Sequence, residues 1–242
     1  MGSDDVRGGS RVSSFMVLDW TPYQLVWLGL FSGLAVAQTL FYGAGWFTFT
    51  VFLSGSLCVL LAAKGHILNY VVGLYNCFAY AWVAHVNGLN GEVWLNLLFY
   101  TPMAVVGLLA WRRHVAGSRV RMRSLSPGRR IAVTMAAVVA TVGLGFFLSR
   151  IEGQNTPYID AATNVLSVAA TILMTLRYRE QWLSYIAVDV LSVVMWGFRM
   201  INGSPEGTMM TVMWSAYLVN AVYGWIVWSR GSRDDAGGGV AE

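Results

Sequence analysis

Long apolar blocks separated by short polar breakers run along the whole chain. Eight blocks approach the length of about 20 residues that a helix needs to cross a bilayer. They cover residues 22–41, 44–62, 66–86, 93–111, 131–148, 157–176, 182–200 and 207–228. The breakers between them are rich in Gly, Asn, Pro and charge, as in "AKGH", "VNGLNGE", "SPGRR", "RYREQ" and "INGSPEG". Only helices and closed barrels satisfy their backbone groups in lipid, and these blocks are too long and too continuously apolar for barrel strands. The pattern predicts an all-α integral membrane protein with eight transmembrane helices.

The pattern also repeats. "LNYVVG" and "LSYIAV" align Tyr70 with Tyr185, and the same offset of 115 aligns Asn87-Gly88 with Asn202-Gly203. Spans two to four thereby match spans six to eight, with span five between them. The expected organisation is a flexible tail (1–21), an extra helix (22–43), a three-helix repeat (44–112), a basic loop (113–130), a linker helix (131–149), a second repeat (157–228) and a flexible tail (229–242). This 3+1+3 core with an added N-terminal helix is a parallel repeat of the full-length SWEET type. Substrate sites in such folds lie near the bilayer midplane at the repeat interface.

Composition agrees: 56% of the 242 residues are hydrophobic and 12% are charged, about half the charged share of a soluble domain. If the spans alternate, one side holds fourteen of the sixteen Lys and Arg residues, including the seven arginines from Arg112 to Arg130, and the other side holds Arg150 and Arg199. The positive-inside rule then makes both termini cytoplasmic. The basic loop is a topology anchor at lipid headgroups; no nucleic-acid partner is expected. No signal peptide is read in the polar first 20 residues. Cys58 and Cys77 sit in apolar blocks and read as core-filling residues.

Candidate chemistry is concentrated in span seven. Trp182, Tyr185, Asp189, Ser192 and Trp196 are spaced 3, 4, 3 and 4, which puts them on one helix face. A lone carboxylate facing lipid costs at least about 2.5 kcal/mol, so Asp189 should face the protein interior or water. Similar stripes are Asn69, Gly73, Asn76 and Tyr80 in span three; Asn96, Tyr100 and Met103 in span four; Asp160, Thr163, Ser167 and Thr171 in span six; and Trp214, Tyr217, Asn220 and Gly224 in span eight. For Asn69, Asn164, Ser167 and Thr171 a simple interhelical hydrogen bond is an equal reading. Trp111 and Trp228 read as interfacial belt, and Trp182 has belt as its alternative. Asp160 is expected to cap or pair locally, with Arg150 as one candidate partner.

No phosphate-binding loop, metal cluster or catalytic Ser–His pair is present, so no catalytic residue, cofactor or metal is expected. The only lysine, Lys64, lies between spans, which excludes a retinal Schiff base within the bundle. A carrier without its own energy source remains.

Three stretches, "LNYVVGLYNCFAYAWVAHVNGLNGEVWLNLLFYTPM", "EGQNTPYIDAATNVLSVAATILMTLRYREQW" and "NAVYGWIVW", together with "QWLSYIAVDVLSVVMW", resemble the PnuC family of vitamin transporters, in particular its nicotinamide riboside carriers. The family's span-seven signature is Trp-x-x-Trp-x-x-x-Asn/Asp. Trp182 and Asp189 match its ends, and Tyr185 stands at the second Trp. That departure leaves thiamine or riboflavin open as the vitamin; a SWEET-like sugar carrier is the further alternative. The resemblance implies facilitated diffusion of an NAD precursor across a bacterial inner membrane by alternating access. A separate cytoplasmic kinase would trap the substrate, and a homotrimer is implied. The expected binding residues are Trp182, Tyr185, Asp189, Trp196, Asn76, Tyr80, Tyr100, Trp214, Tyr217 and Asn220.

Overall fold

The computed structural model describes residues 20–42, 46–86, 90–151, 156–203 and 207–237. Residues 1–19, the Asn87-Gly88 pair and the last five residues lie outside the described ones. The helices are α1 (Pro22–Tyr42), α2 (Trp46–Lys64), α3 (Leu68–Val86), α4 (Asn90–Leu95), α5 (Thr101–Arg112), α6 (Pro127–Leu148), α7 (Pro157–Thr175), α8 (Gln181–Ile201) and α9 (Gly207–Gly237). A π-helical turn, Asn96–Tyr100, joins α4 to α5, and strands β1 (Val115–Ala116) and β2 (Arg119–Val120) form a small hairpin inside the basic loop.

Among the described residues six helices are long and apolar enough to cross a membrane: 46–64, 93–112, 127–148, 157–175, 181–201 and 210–237. The chain is an all-helical membrane protein. α1 qualifies only as a shorter apolar helix, Pro22–Ala37. α3 falls outside the six and carries Asn69, Asn76 and His85 along its length. Large apolar side chains cover the outer surface; on α8 the exposed stripe is Leu183, Val190, Val194, Phe198 and Ile201. A water-soluble bundle would not expose apolar stripes of this length.

The chain divides into two compact units, residues 1–121 and 122–242. Each contains a helix pair joined by the same turn. In the first, Gly65 has a φ of 73°, its N–H donates to the Ala62 carbonyl (3.0 Å), and the His66 N–H donates to Leu61 (2.9 Å). In the second, Arg177 has a φ of 65°, its N–H donates to Met174 (2.9 Å), and the Tyr178 N–H donates to Leu173 (2.9 Å). This is a Schellman ending with a left-handed residue after the helix. The following helices also start alike, with Tyr70 N–H bonded to Ile67 and Trp182 N–H to Arg179, both at 3.1 Å. In each unit the central loop caps the left-handed residue: Val120 N–H donates to Gly65, and Arg123 N–H to Arg177.

The paired residues of the two turns are offset by 112 residues, a correction to the offset of 115 expected from matching Tyr70 with Tyr185. The turn matches Tyr70 with Trp182 instead. Three residues is close to one helical turn, so both registers keep the same face. α8 is two residues longer than α3, and identical residues alone did not reveal where the extra length enters.

Within each unit an aromatic side chain near the start of the second helix lies on a glycine of a later helix. A Cβ on Gly107 would overlap the ring of Tyr70, and one on Gly224 would sit 2.6 Å from the Trp182 indole. Four residues beyond each glycine comes a tryptophan: Tyr70 meets Trp111 edge-on at 4.9 Å, and Trp182 meets Trp228 at 6.5 Å between centroids. Trp111 and Trp228 are fully buried, so neither is the interfacial belt residue expected. Each packs inward because a glycine one turn away opens the space.

α6 begins at Pro127 rather than at 131, and α9 continues to Gly237, past Trp228. The extension carries Asp235, whose carboxylate accepts the Met122 N–H (2.7 Å). Glu180, buried in the α7–α8 turn, accepts from the Leu125 N–H (3.0 Å) and the Ser124 hydroxyl (3.2 Å) and pairs with Arg130 (3.0 Å). Burial, and then the nearby Arg123 guanidinium, lowers the pKa of Arg177. The basic loop is thus fastened by two carboxylates, the buried Glu180 and the half-buried Asp235.

Gly107→Ala should lower the thermal stability of the detergent-solubilised protein by about 1–3 kcal/mol, the usual cost of overpacking. Gly33→Ala, with nothing within 4 Å of the new Cβ, should leave it unchanged or slightly raised. Equal unfolding temperatures for the two variants would contradict this packing.

Candidate functional site

The polar face of α8 exists as the spacing requires. Trp182, Asp189 and Ser192 are buried, at 2%, 4% and 3% exposure, while Tyr185 and Trp196 are half-buried. The face packs against α9, the most extensive helix pairing in the protein. The two helices run antiparallel, with Trp182 at the level of Gly224 and Trp228. Seven residues along each helix, about 10 Å at 1.5 Å per residue, bring Asp189 level with Tyr217. Asn220 lies between those levels.

Trp182 and Tyr185 have ring centroids 5.8 Å apart, as do Trp214 and Tyr217. The Arg199 guanidinium lies over the Trp196 ring at 4.6 Å. The second unit therefore brings together Trp182, Tyr185, Asp189, Trp214, Tyr217 and Asn220 along one helix pair, with Trp196 at the far end of the stripe.

These polar groups are left unsatisfied. Among the described residues Asp189 makes no hydrogen bond and no ion pair. Asn220 is fully buried, yet among the described residues neither Oδ1 nor Nδ2 has a partner, and the indole N–H groups of Trp182 and Trp214 have none there either. Gln181, next to Trp182, is fully buried with both amide atoms unbonded. Sequence reasoning passed over Gln181 because it looked like the polar end of a breaker. An unsatisfied buried polar group costs about 1–3 kcal/mol, so a run of them is a mark of function rather than of packing.

The span-six stripe behaves differently. Thr163 donates to the Ile159 and Asp160 carbonyls, Asn164 to Asp160 and Thr171 to Ser167, all within α7. Asp160 accepts from Thr156 (3.2 Å), while Arg150 stacks over Phe146. The local reading holds for Asp160, whereas Asn164 and Thr171 bond the backbone of their own helix and not a neighbouring one.

In the first unit Asn76 stitches α3 to α2: its Nδ2 donates to the Val51 carbonyl (2.7 Å) and to Ser54 (3.0 Å). Its amide hydrogens are thus committed to structure. Tyr80 and Tyr100 are half-buried. Tyr100 ends the π-helical turn, where Thr101 N–H bonds to the Asn96 carbonyl five residues back. Such turns cluster at functional sites, and Pro102, lacking an N–H, explains why the regular ladder gives way there.

An inward polar-aromatic face with unsatisfied groups suits a membrane protein that binds a small polar molecule, and the comparisons with known proteins give its class. Residues 45–230 match the nicotinamide mononucleotide transporter family profile. The chain belongs to this family, that of the PnuC transporters. A nicotinamide riboside transporter PnuC of Neisseria mucosa is 35% identical over 217 residues, covering 87% of this chain and 82% of that one. The Haemophilus influenzae protein of the same name is 33% identical over 91% of this chain and 96% of its own. The crystal structure of a vitamin B3 transporter PnuC superposes with a TM-score of 0.75 at 32% identity, over 96% of this chain and 99% of that one. α1 lies outside the residues matched by the family profile.

The satisfied and unsatisfied asparagines should respond oppositely to the same change. Asn220→Leu should stabilise the ligand-free protein by about 1 kcal/mol, because it removes an orphaned amide. Asn76→Leu should destabilise it by about 1 kcal/mol, roughly two membrane hydrogen bonds. Thermal unfolding in detergent measures both, and a destabilised Asn220→Leu would show that its amide is bonded after all.

Proposed function

We propose that the protein carries nicotinamide riboside, an NAD precursor, across the bacterial inner membrane, and that the α8–α9 face recognises it. The observation that carries this reading is Asp189, a buried carboxylate with no partner among the described residues, set in a row of aromatic rings. Nicotinamide riboside is a flat pyridinium cation joined to a ribose. Its ring would stack on Trp182, Tyr185 or Trp214, each cation–π contact contributing about 0.5–2 kcal/mol. Asp189 would balance the charge. The Asn220 amide and the free indole N–H groups would bond the ribose hydroxyls and the carboxamide. Asp189, Asn220 and the two indole N–H groups thereby each gain a use. The names of the relatives, nicotinamide riboside and vitamin B3 transporters, support the same substrate.

The family profile carries the name of the mononucleotide, and the residues favour the riboside. A phosphate needs a cation, and the basic residues of this helix pair lie at its ends: Arg199 in the last turn of α8, stacked on Trp196, and Arg230 and Arg233 beyond Trp228 on α9. Tyr185 in place of a second tryptophan keeps the aromatic face and adds a hydroxyl.

All eight long helices cross the membrane in this reading, with both termini cytoplasmic. The matching turns, offset by 112, support a core of two parallel three-helix repeats joined by α6, with α1 added outside it. Transport is facilitated diffusion by alternating access. Net uptake comes from phosphorylation by a separate cytoplasmic kinase, since the charged product has no binding face to leave by. A homotrimer is the assembly we assign.

Asp189→Asn should weaken riboside binding about tenfold, the value of a charge-assisted contact. It should leave binding of the uncharged dihydro form nearly unchanged. Calorimetry on the purified protein tests this; equal losses for both ligands would make Asp189 structural. In liposomes without kinase, labelled riboside should equilibrate and exchange without accumulating. Accumulation driven by an imposed proton gradient would overturn facilitated diffusion in favour of coupling.

A further inference from the structure

An open groove of about 480 Å³ runs between α6 and α7, away from the aromatic face of α8. Its walls are apolar: Val133 and Ala136 from α6, Val168 and Ile172 from α7, and Leu125 and Tyr178 at one end. Alanines 132, 136, 137 and 169 hold it open by having nothing to fill it with. One charged group lines it, Arg129, in the first turn of α6.

Arg129 is exposed and has no acidic partner among the described residues, whereas its neighbour Arg130 is paired with Glu180. From Arg129 to Ala137 the groove follows about 12 Å of α6, and from Val165 to Leu176 about 16 Å of α7, at 1.5 Å per residue. Half of a bilayer's hydrocarbon core is about 15 Å. The groove is therefore one leaflet deep, with Arg129 lining its headgroup end and the Arg123 guanidinium stacked on Tyr178 beside it. α6 is also the least enclosed of the six membrane-length helices, so the groove opens sideways to lipid.

We infer that this groove is a binding site for one anionic phospholipid, whose acyl chain lies between α6 and α7 and whose phosphate pairs with Arg129. Charge complementarity selects the occupant. A zwitterionic lipid offers the same chain but brings its own cation beside the guanidinium. A second protein copy would need an acidic group at the height of Arg129 within an otherwise apolar ridge. The site sits at the end of α6 that leads from the fastened basic loop, so the lipid would brace that loop against the membrane surface. The inference rests on the chain spanning a membrane, and not on the identity of the transported vitamin.

The test is native mass spectrometry of the intact protein in micelles loaded with equal amounts of phosphatidylglycerol and phosphatidylcholine carrying identical chains. The wild type should retain one phosphatidylglycerol per chain in preference. Arg129→Gln should lower that preference about fivefold, the effect of one basic residue at the membrane surface. Ala136→Leu combined with Ala169→Leu should fill the groove and cut retention of both lipids, with riboside binding intact. Unchanged preference in Arg129→Gln would overturn the inference. So would undiminished retention in the double variant, and so would a change of oligomeric mass in the double variant with lipid retention unaltered, which would make the groove a contact between copies.

Discussion

The indole of Trp182 lies against the bare backbone of Gly224, and much of the second unit depends on that contact. A Cβ on residue 224 would come within 2.6 Å of the ring, so α8 and α9 approach as closely as they do only because the side chain is absent. In lipid there is no hydrophobic force between helices, and close packing at small residues takes its place. The contact fixes the rotation of α8. Once Trp182 is turned toward α9, the 3-4-3-4 spacing turns Tyr185, Asp189 and Ser192 the same way, and Leu183, Val190, Val194 and Phe198 turn outward to lipid. The first unit uses the same device, with Tyr70 on Gly107 and Trp111 one turn on.

The helices, their approximate ends and the inward stripe of α8 were legible in the sequence because lipid imposes simple rules. Apolar length, breakers and the period of polar residues answer directly to them. The role of Trp111 and Trp228 was not legible. A tryptophan near a span end reads as interface belt unless the glycine one turn before it is known to face an aromatic ring, which is a long-range fact. The register of the internal match was misread for a similar reason. Identical residues favoured 115, while the backbone turn, whose left-handed position is Gly65 in one copy and Arg177 in the other, sets 112. Arginine gives no hint of a left-handed conformation.

The candidate site was legible in part. Asn76 looked equivalent to Asn220, since both are asparagines on polar stripes in apolar helices. The structure separates them: the Asn76 amide bonds Val51 and Ser54, and the Asn220 amide bonds nothing. Satisfaction of a polar group depends on its neighbours in space, which no single helix pattern carries. The same distinction removes the α7 stripe, whose hydroxyls bond their own helix, and adds Gln181. What remains is a row of unsatisfied donors and acceptors with Asp189 among aromatic rings, a set suited to a flat, cationic, hydroxyl-bearing ligand.

The most direct test of this account is calorimetric binding of nicotinamide riboside to the purified protein, beside thiamine, riboflavin and nicotinamide mononucleotide. The account predicts that the riboside binds and the mononucleotide does not, because the face offers a carboxylate and π faces to the cation and no cation to a phosphate at the level of Asp189. Tight binding of the mononucleotide, or of another vitamin with none of the riboside, would contradict it.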